Sequence, residues 1–162
     1  MFIKLLCFLL LLPVIATAYG AVTSCDEAYR IERRTQGRPV LVSLTGSATL
    51  RNIKHEVTGG NFSADNKYVV LYGPPLKADR RSPQATLLTL YEINRRTRFL
   101  GTASYGSGIY SARFSEDAKY VEVDTAYGID IIDTRTMQHQ FHDPSYEPDF
   151  PLHDSAKSGA SQ

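Results

Sequence analysis

The side chains best equipped for chemistry lie towards the C-terminus, where His139, His142 and His153 stand among Asp143 and Asp154. His139 and His142 could chelate a metal if a turn brought both rings to one side. On a strand, residues three apart face opposite ways and the pair cannot close on one ion. Solvated or internally bonded histidines are the plainer reading. Acid pairs occur at Glu122 with Asp124 and at Asp130 with Asp133, but alternating acids are ordinary on a strand that faces water. Cys25 is a candidate nucleophile, yet it stands too near the N-terminus for a supported site. The chain has no Gly-x-Ser-x-Gly elbow, phosphate-cradling loop or zincin helix motif. The expectation is a protein that is not an enzyme and takes no cofactor or metal.

The N-terminus reads as an export signal. Lys4 precedes an apolar run over 5–15, and Ala16-Thr17-Ala18 supplies small residues for cleavage. The run contains Pro13 and is short for a bilayer span. This divides the chain into a signal peptide over 1–18, a folded domain over 26–142 and a flexible tail over 143–162. Val22-Thr23-Ser24-Cys25 also resembles a bacterial lipobox, which implies a signal over 1–24 and a lipidated Cys25. Cys25 sits well past the apolar run, so cleavage after Ala18 is better placed. Cys7 leaves in either case, and Cys25 then has no thiol partner within the chain. The expected location is periplasmic or otherwise extracytoplasmic, with membrane contact only through a lipid on Cys25.

Loss of Lys4 leaves 17 Lys and Arg against 17 Asp and Glu. That balance argues against a nucleic-acid partner, which calls for a basic surplus. The clusters Arg33-Arg34, Arg80-Arg81 and Arg95-Arg96-Thr97-Arg98 read as strand ends and loop tips.

The elements that must position any site are strands. Phe62-Ser63-Ala64-Asp65-Asn66-Lys67-Tyr68-Val69 returns as Phe114-Ser115-Glu116-Asp117-Ala118-Lys119-Tyr120-Val121. In this unit a Phe ends one strand, an Asx-type turn follows at Ser-x-Asp, and Lys-Tyr-Val opens the return strand. A second phrase, Tyr29 to Thr35, matches Tyr91 to Thr97 and more loosely Asp130 to Thr136. Further strands are expected over 40–44, 48–57, 86–93, 99–104, 129–133 and 137–141. Tyr110, Ala112 and Phe114 alternate with polar residues and predict a half-buried strand.

The repeated phrase resembles the β-propeller unit of the WD40 and TolB-like families, whose core reads roughly Phe-Ser-Pro-Asp-Gly-Lys. This chain departs from it at the Pro and Gly positions. A closed propeller takes about four to eight blades, more than this length allows. The expected fold is therefore all-β, with two to two-and-a-half propeller-like antiparallel blades forming an open or face-to-face packed domain.

Two connections stand out as binding loops. The segment 73–85 interrupts the repeat and carries Lys77, Arg80, Arg81, Ser82 and Gln84. Tyr105-Gly106-Ser107-Gly108-Ile109-Tyr110 has the Tyr, Ser and Gly composition of adaptable recognition loops, with Tyr105 and Ser107 as contact candidates; a plain hairpin turn beside a buried Tyr110 is the other reading. A small exported blade protein with an elaborated loop, here Phe62 through Tyr72, the loop, then Leu87 to Glu92, resembles periplasmic immunity proteins against type VI secretion cell-wall amidase effectors. The resemblance implies a secreted cell-wall hydrolase as partner and insertion of 73–85 into its cleft. It also implies that Ser82 hydrogen-bonds the effector's catalytic histidine. This loop is longer and more basic than the family's, and the family's disulfide-capable cysteines are missing. The other expectation is an envelope lipoprotein or assembly component that binds a second envelope protein through its sheet edges.

Overall fold

The computed structural model describes residues 22–33, 38–77, 81–94 and 96–153. These residues form three four-stranded antiparallel sheets, each an up-and-down meander. The first blade holds β1 (Val22–Thr23), β2 (Tyr29–Glu32), β3 (Val40–Ser43) and β4 (Gly46–Thr49). The second holds β5 (Gly59–Phe62), β6 (Tyr68–Gly73), β7 (Thr86–Glu92) and β8 (Arg98–Tyr105). The third holds β9 (Ser111–Phe114), β10 (Tyr120–Thr125), β11 (Gly128–Asp133) and β12 (His139–His142). β5 neighbours both β1 and β9, so the first strands of the blades stand side by side. The all-β, open-blade expectation holds, with three sheets in place of two and a fraction. The additional sheet comes from 22–49, whose strands are too short for alternation to show. The strand expected over 48–57 ends at Thr49, and 50–58 links the first two blades.

Strand period two assigns the cores. Phe62, Val69, Leu71, Tyr91 and Ile93 of the middle blade join Ile31 and Leu41 of the first, together with linker residues Leu50, Ile53 and Val57. Val70, Leu88 and Leu90, on the other face, join Ala112, Phe114, Val121, Val123 and Ile132. The middle blade is thus buried on both faces, which is why Val69-Val70-Leu71 reads as an unbroken apolar run.

The repeated phrase has one structure in both places. Ser63 Oγ donates to Asp65 and accepts from Tyr68 N–H at 2.8 and 3.0 Å, and Ser115 treats Asp117 and Tyr120 the same way at the same distances. A third copy begins at Ser24, which donates to Asp26 at 2.7 Å and accepts from Tyr29 N–H at 3.0 Å. Tyr29 therefore corresponds to Tyr68 and Tyr120, the first residues of second strands, and its match to Tyr91 on a third strand is corrected. The residue after each Asp has positive φ: 59° at Glu27, 56° at Asn66 and 57° at Ala118. That backbone explains the glycine at this point of the propeller phrase.

The tail expectation is also corrected for 143–153. Tyr146 stacks on His142 with centroids 3.7 Å apart, and Phe150 stacks on Tyr120 at 5.1 Å. Glu116 N–H donates to Pro151 O and His153 N–H to Phe114 O, so the segment ends as an extra pairing along β9. Pro144 lies in a turn closed by Tyr146 N–H on Asp143 O, and the aromatics that follow give the segment something to bury. The signal expected over 1–18 and residues 154–162, Asp154 among them, lie outside the described residues.

Candidate binding surface

Antiparallel meanders send alternate connections to opposite ends. The three Ser-x-Asp turns share one end, the cap end. The β2–β3, β6–β7 and β10–β11 connections emerge at the other, the loop end, with the linkers β4–β5 and β8–β9.

The β6–β7 connection is the largest of these. Its first limb is tied to the preceding linker: Glu56 N–H donates to Pro74 O at 2.9 Å and Leu76 N–H to Lys54 O at 3.0 Å. Gly73 permits this approach, because a Cβ there would stand 2.1 Å from Glu56 O. His55, beside Pro75, is buried and bonded at both ring nitrogens. Nδ1 meets Glu56 O at 2.5 Å and Nε2 meets the Thr89 hydroxyl at 2.9 Å. A carbonyl only accepts, so Nδ1 carries the hydrogen and Nε2 accepts from Thr89. Burial lowers the His55 pKa below the usual imidazole value, opposed by the Glu56 carbonyl.

Past this anchored base the described residues 76–77 and 81–84 are exposed. Lys77, Arg81, Ser82 and Gln84 all face solvent, and Ala85 N–H closes a turn on Ser82 O at 3.1 Å. Arg80 lies outside the described residues. The second limb enters β7 at Thr86, which pairs with Tyr105, and Gly108 lies beside Thr86. The two loops singled out in the sequence, including Ser107, are therefore neighbours.

Tyr105 itself plays a different part from the one expected. It closes β8, and its hydroxyl donates to Asp130 Oδ2 at 2.6 Å. Burial, then this bond, raises the tyrosine pKa well above its ordinary value. Asp130 Oδ2 also accepts from His139 Nδ1 at 2.8 Å within the third blade, while the Tyr105 bond links the second blade to the third. The Tyr105 hydroxyl is thus engaged within the protein, at the end of β8 beside the second loop.

His139 faces Asp130 while His142 lies under Tyr146, so the two rings do not converge. His153 Nε2 is 3.4 Å from the exposed Cys25 Sγ. Among the described residues no group of three His, Cys, Asp or Glu is placed to hold a metal ion. Glu122 is buried and paired with Arg113 at 2.6 Å, so it is no free acid.

Of the exposed apolar side chains at the loop end, Leu76 and Tyr110 fall within the two loops singled out in the sequence, and Tyr127 and Phe141 were missed. Leu76 is 62% exposed, Tyr110 65%, Tyr127 73% and Phe141, next to Gly128, 60%. Tyr110 was expected in the core, but β9 begins one residue later, and Tyr110 is held at the end of β10 by its N–H to Asp124 O. The Ala126-Tyr127 tip between two strong strands is the signal that could have found Tyr127.

No family model matches this chain, and no curated protein matches it. It is similar to a solved structure of a puromycin hydrolase mutant complexed with PGG, at 18% identity and a TM-score of 0.50. The likeness covers 75% of this chain and 22% of that one, so the chain spans under a quarter of its neighbour's length. It supports a shared all-β, propeller-like fold and nothing of activity.

Proposed function

We propose that this chain is an exported, non-catalytic protein-binding module of the immunity-protein kind, which occludes the active site of a secreted cell-wall hydrolase with its 73–85 loop. The observation that carries the reading is a loop pinned at its base by the His55 segment while its tip, Arg81 to Gln84, stays in solvent. A loop whose base is already fixed loses less conformational freedom on entering a cleft, so more of its contact energy appears as affinity. Ser82 would meet the catalytic histidine of such a hydrolase, and Arg81 the acids at the rim of its cleft.

A soluble form fits the fold better than a lipid tether on Cys25. Cleavage before Cys25 would remove β1 and Ser24, the strand and serine on which the first cap is built. The test is deletion of 80–84. Envelope extract from producing cells is passed over the intact chain and over the deletion variant. A hydrolase should be retained by the first and lost from the second, whose thermal melt should remain cooperative. Retention by both ends the loop assignment.

A further inference from the structure

Chemistry at the loop end is unevenly distributed. Over the first blade and its linker the exposed charges are Arg33, Arg38, Arg51 and Lys54, with Glu56 as the opposing acid. The β6–β7 loop adds Lys77 and Arg81. Over the third blade the connections present Tyr110 and Tyr127, with Phe141 close by and no cation in 106–110 or 126–127. At the cap end Lys67 pairs with Asp65, Lys119 with Asp117 and Arg98 with Glu92, and Arg96 and Arg135 are exposed in the β7–β8 and β11–β12 turns. Among the described residues, four of the five exposed large apolar side chains thus belong to the loop end, and the fifth, Leu44, to the β3–β4 turn opposite.

We propose that the loop end is a bipartite interaction face, basic over the first blade and aromatic over the third, which fits a protein carrying an acidic patch beside an apolar one. The proposal rests on the protein-binding reading above and extends it from one loop to the whole end. Segregation is what selects a protein partner. An anionic bilayer offers the same headgroups and acyl chains at every point, whereas a protein surface can set an acidic patch beside an apolar one. A surface with the two chemistries side by side gains only from a partner divided in the same way. Desolvated tyrosines then hold the complex, while the arginines speed encounter and fix orientation.

The test uses a displayed random-peptide library panned on the full chain purified from expressing cells. The selected consensus peptide is then measured by surface plasmon resonance at several salt concentrations. The expected peptides place Asp or Glu beside Leu, Phe or Trp. Arg38→Glu with Arg51→Glu should slow association about 10-fold and abolish its salt dependence. Tyr110→Ala with Tyr127→Ala should speed dissociation by about 10- to 100-fold. All four positions are exposed, and Arg38→Gln with Arg51→Gln gives a milder version whose melting point checks folding. Acid-free peptides, no selected peptide, or insensitivity to the arginine changes would overturn the bipartite face. So would binding to phosphatidylglycerol vesicles that the same substitutions abolish. If deletion of 80–84 abolishes peptide binding while the arginine changes leave it intact, the loop reading survives and this one falls.

Discussion

His55 shows how a single side chain joins stability to the loop that makes the surface. Its ring is neutral when Nδ1 donates to Glu56 and Nε2 accepts from Thr89, and a second ring proton would confront the hydroxyl. Because the folded pKa lies below the unfolded one, the unfolded chain takes up the proton more readily. His55 therefore contributes stability in full above the ordinary value of 6.5, and that contribution falls away as pH drops below it. Urea midpoints should decrease between about pH 7.5 and about pH 5.5, and His55→Gln should flatten that slope while lowering stability by about 1–3 kcal/mol. An unchanged slope would mean that another group titrates. Asp117 acts in a lower range. Bonds from Lys119 and then Ser115 hold its carboxyl at about 2, against 3.8 unperturbed. Stability from this turn is present above 3.8 and is lost as pH falls towards about 2. Asp117→Asn should remove that part of the acid limb in a circular dichroism titration.

At the scale of elements, the Ser-x-Asp turn is the device that the chain uses three times. Each serine is buried and satisfies the N–H that opens the second strand, so its loss strands a buried donor. Ser24→Ala should cost about 1–3 kcal/mol in denaturant unfolding, close to the cost of Ser115→Ala. A silent Ser24→Ala would remove the first turn from the set and reopen processing before Cys25. Two copies were legible because Phe, Lys and Val recur around them. The third was not, because Thr23 stands for the Phe and Ala28 for the Lys, although the residues that make the bonds are all present. The phrase shared by Tyr29 and Tyr91 misled for the opposite reason. Its arginines and threonine agree in type, while the hydrogen bonds put Tyr29 on a different strand of its blade. The Glu27 backbone offers a gain: Glu27→Gly removes left-handed strain of about 1–2 kcal/mol and adds about 0.5–1 kcal/mol of glycine entropy. A melting point slightly above the parent is the expected result.

At the scale of the whole molecule, an open row of blades has two terminal faces, and the chain treats them differently. The first blade turns Thr23, Arg30, Glu32, Ser47 and Thr49 outward together with half-buried Val42 and buried Val40, so its outer face is mostly polar in residue type. The register of the third blade turns out Tyr120, Ile129 and Ile131, yet both isoleucines are buried. Segment 143–153 crosses that face and ends with His153 beside Cys25, joining the third blade to the first. This closure was hidden in the sequence because proline spacing marks where a strand cannot form and says nothing of what the chain lies against. The loop, by contrast, was legible from the broken repeat, since its extra residues have no counterpart between Thr125 and Gly128. If the segment is the cover of an apolar face, weakening its anchors should expose that face without touching the loop end. Tyr146→Ala with Phe150→Ala should lower stability by about 2–4 kcal/mol, raise binding of an apolar dye and promote self-association on a sizing column. Partner binding through the loop should persist in the fraction that stays monomeric. A double variant as stable and as monomeric as the parent would show that the third blade needs no cover.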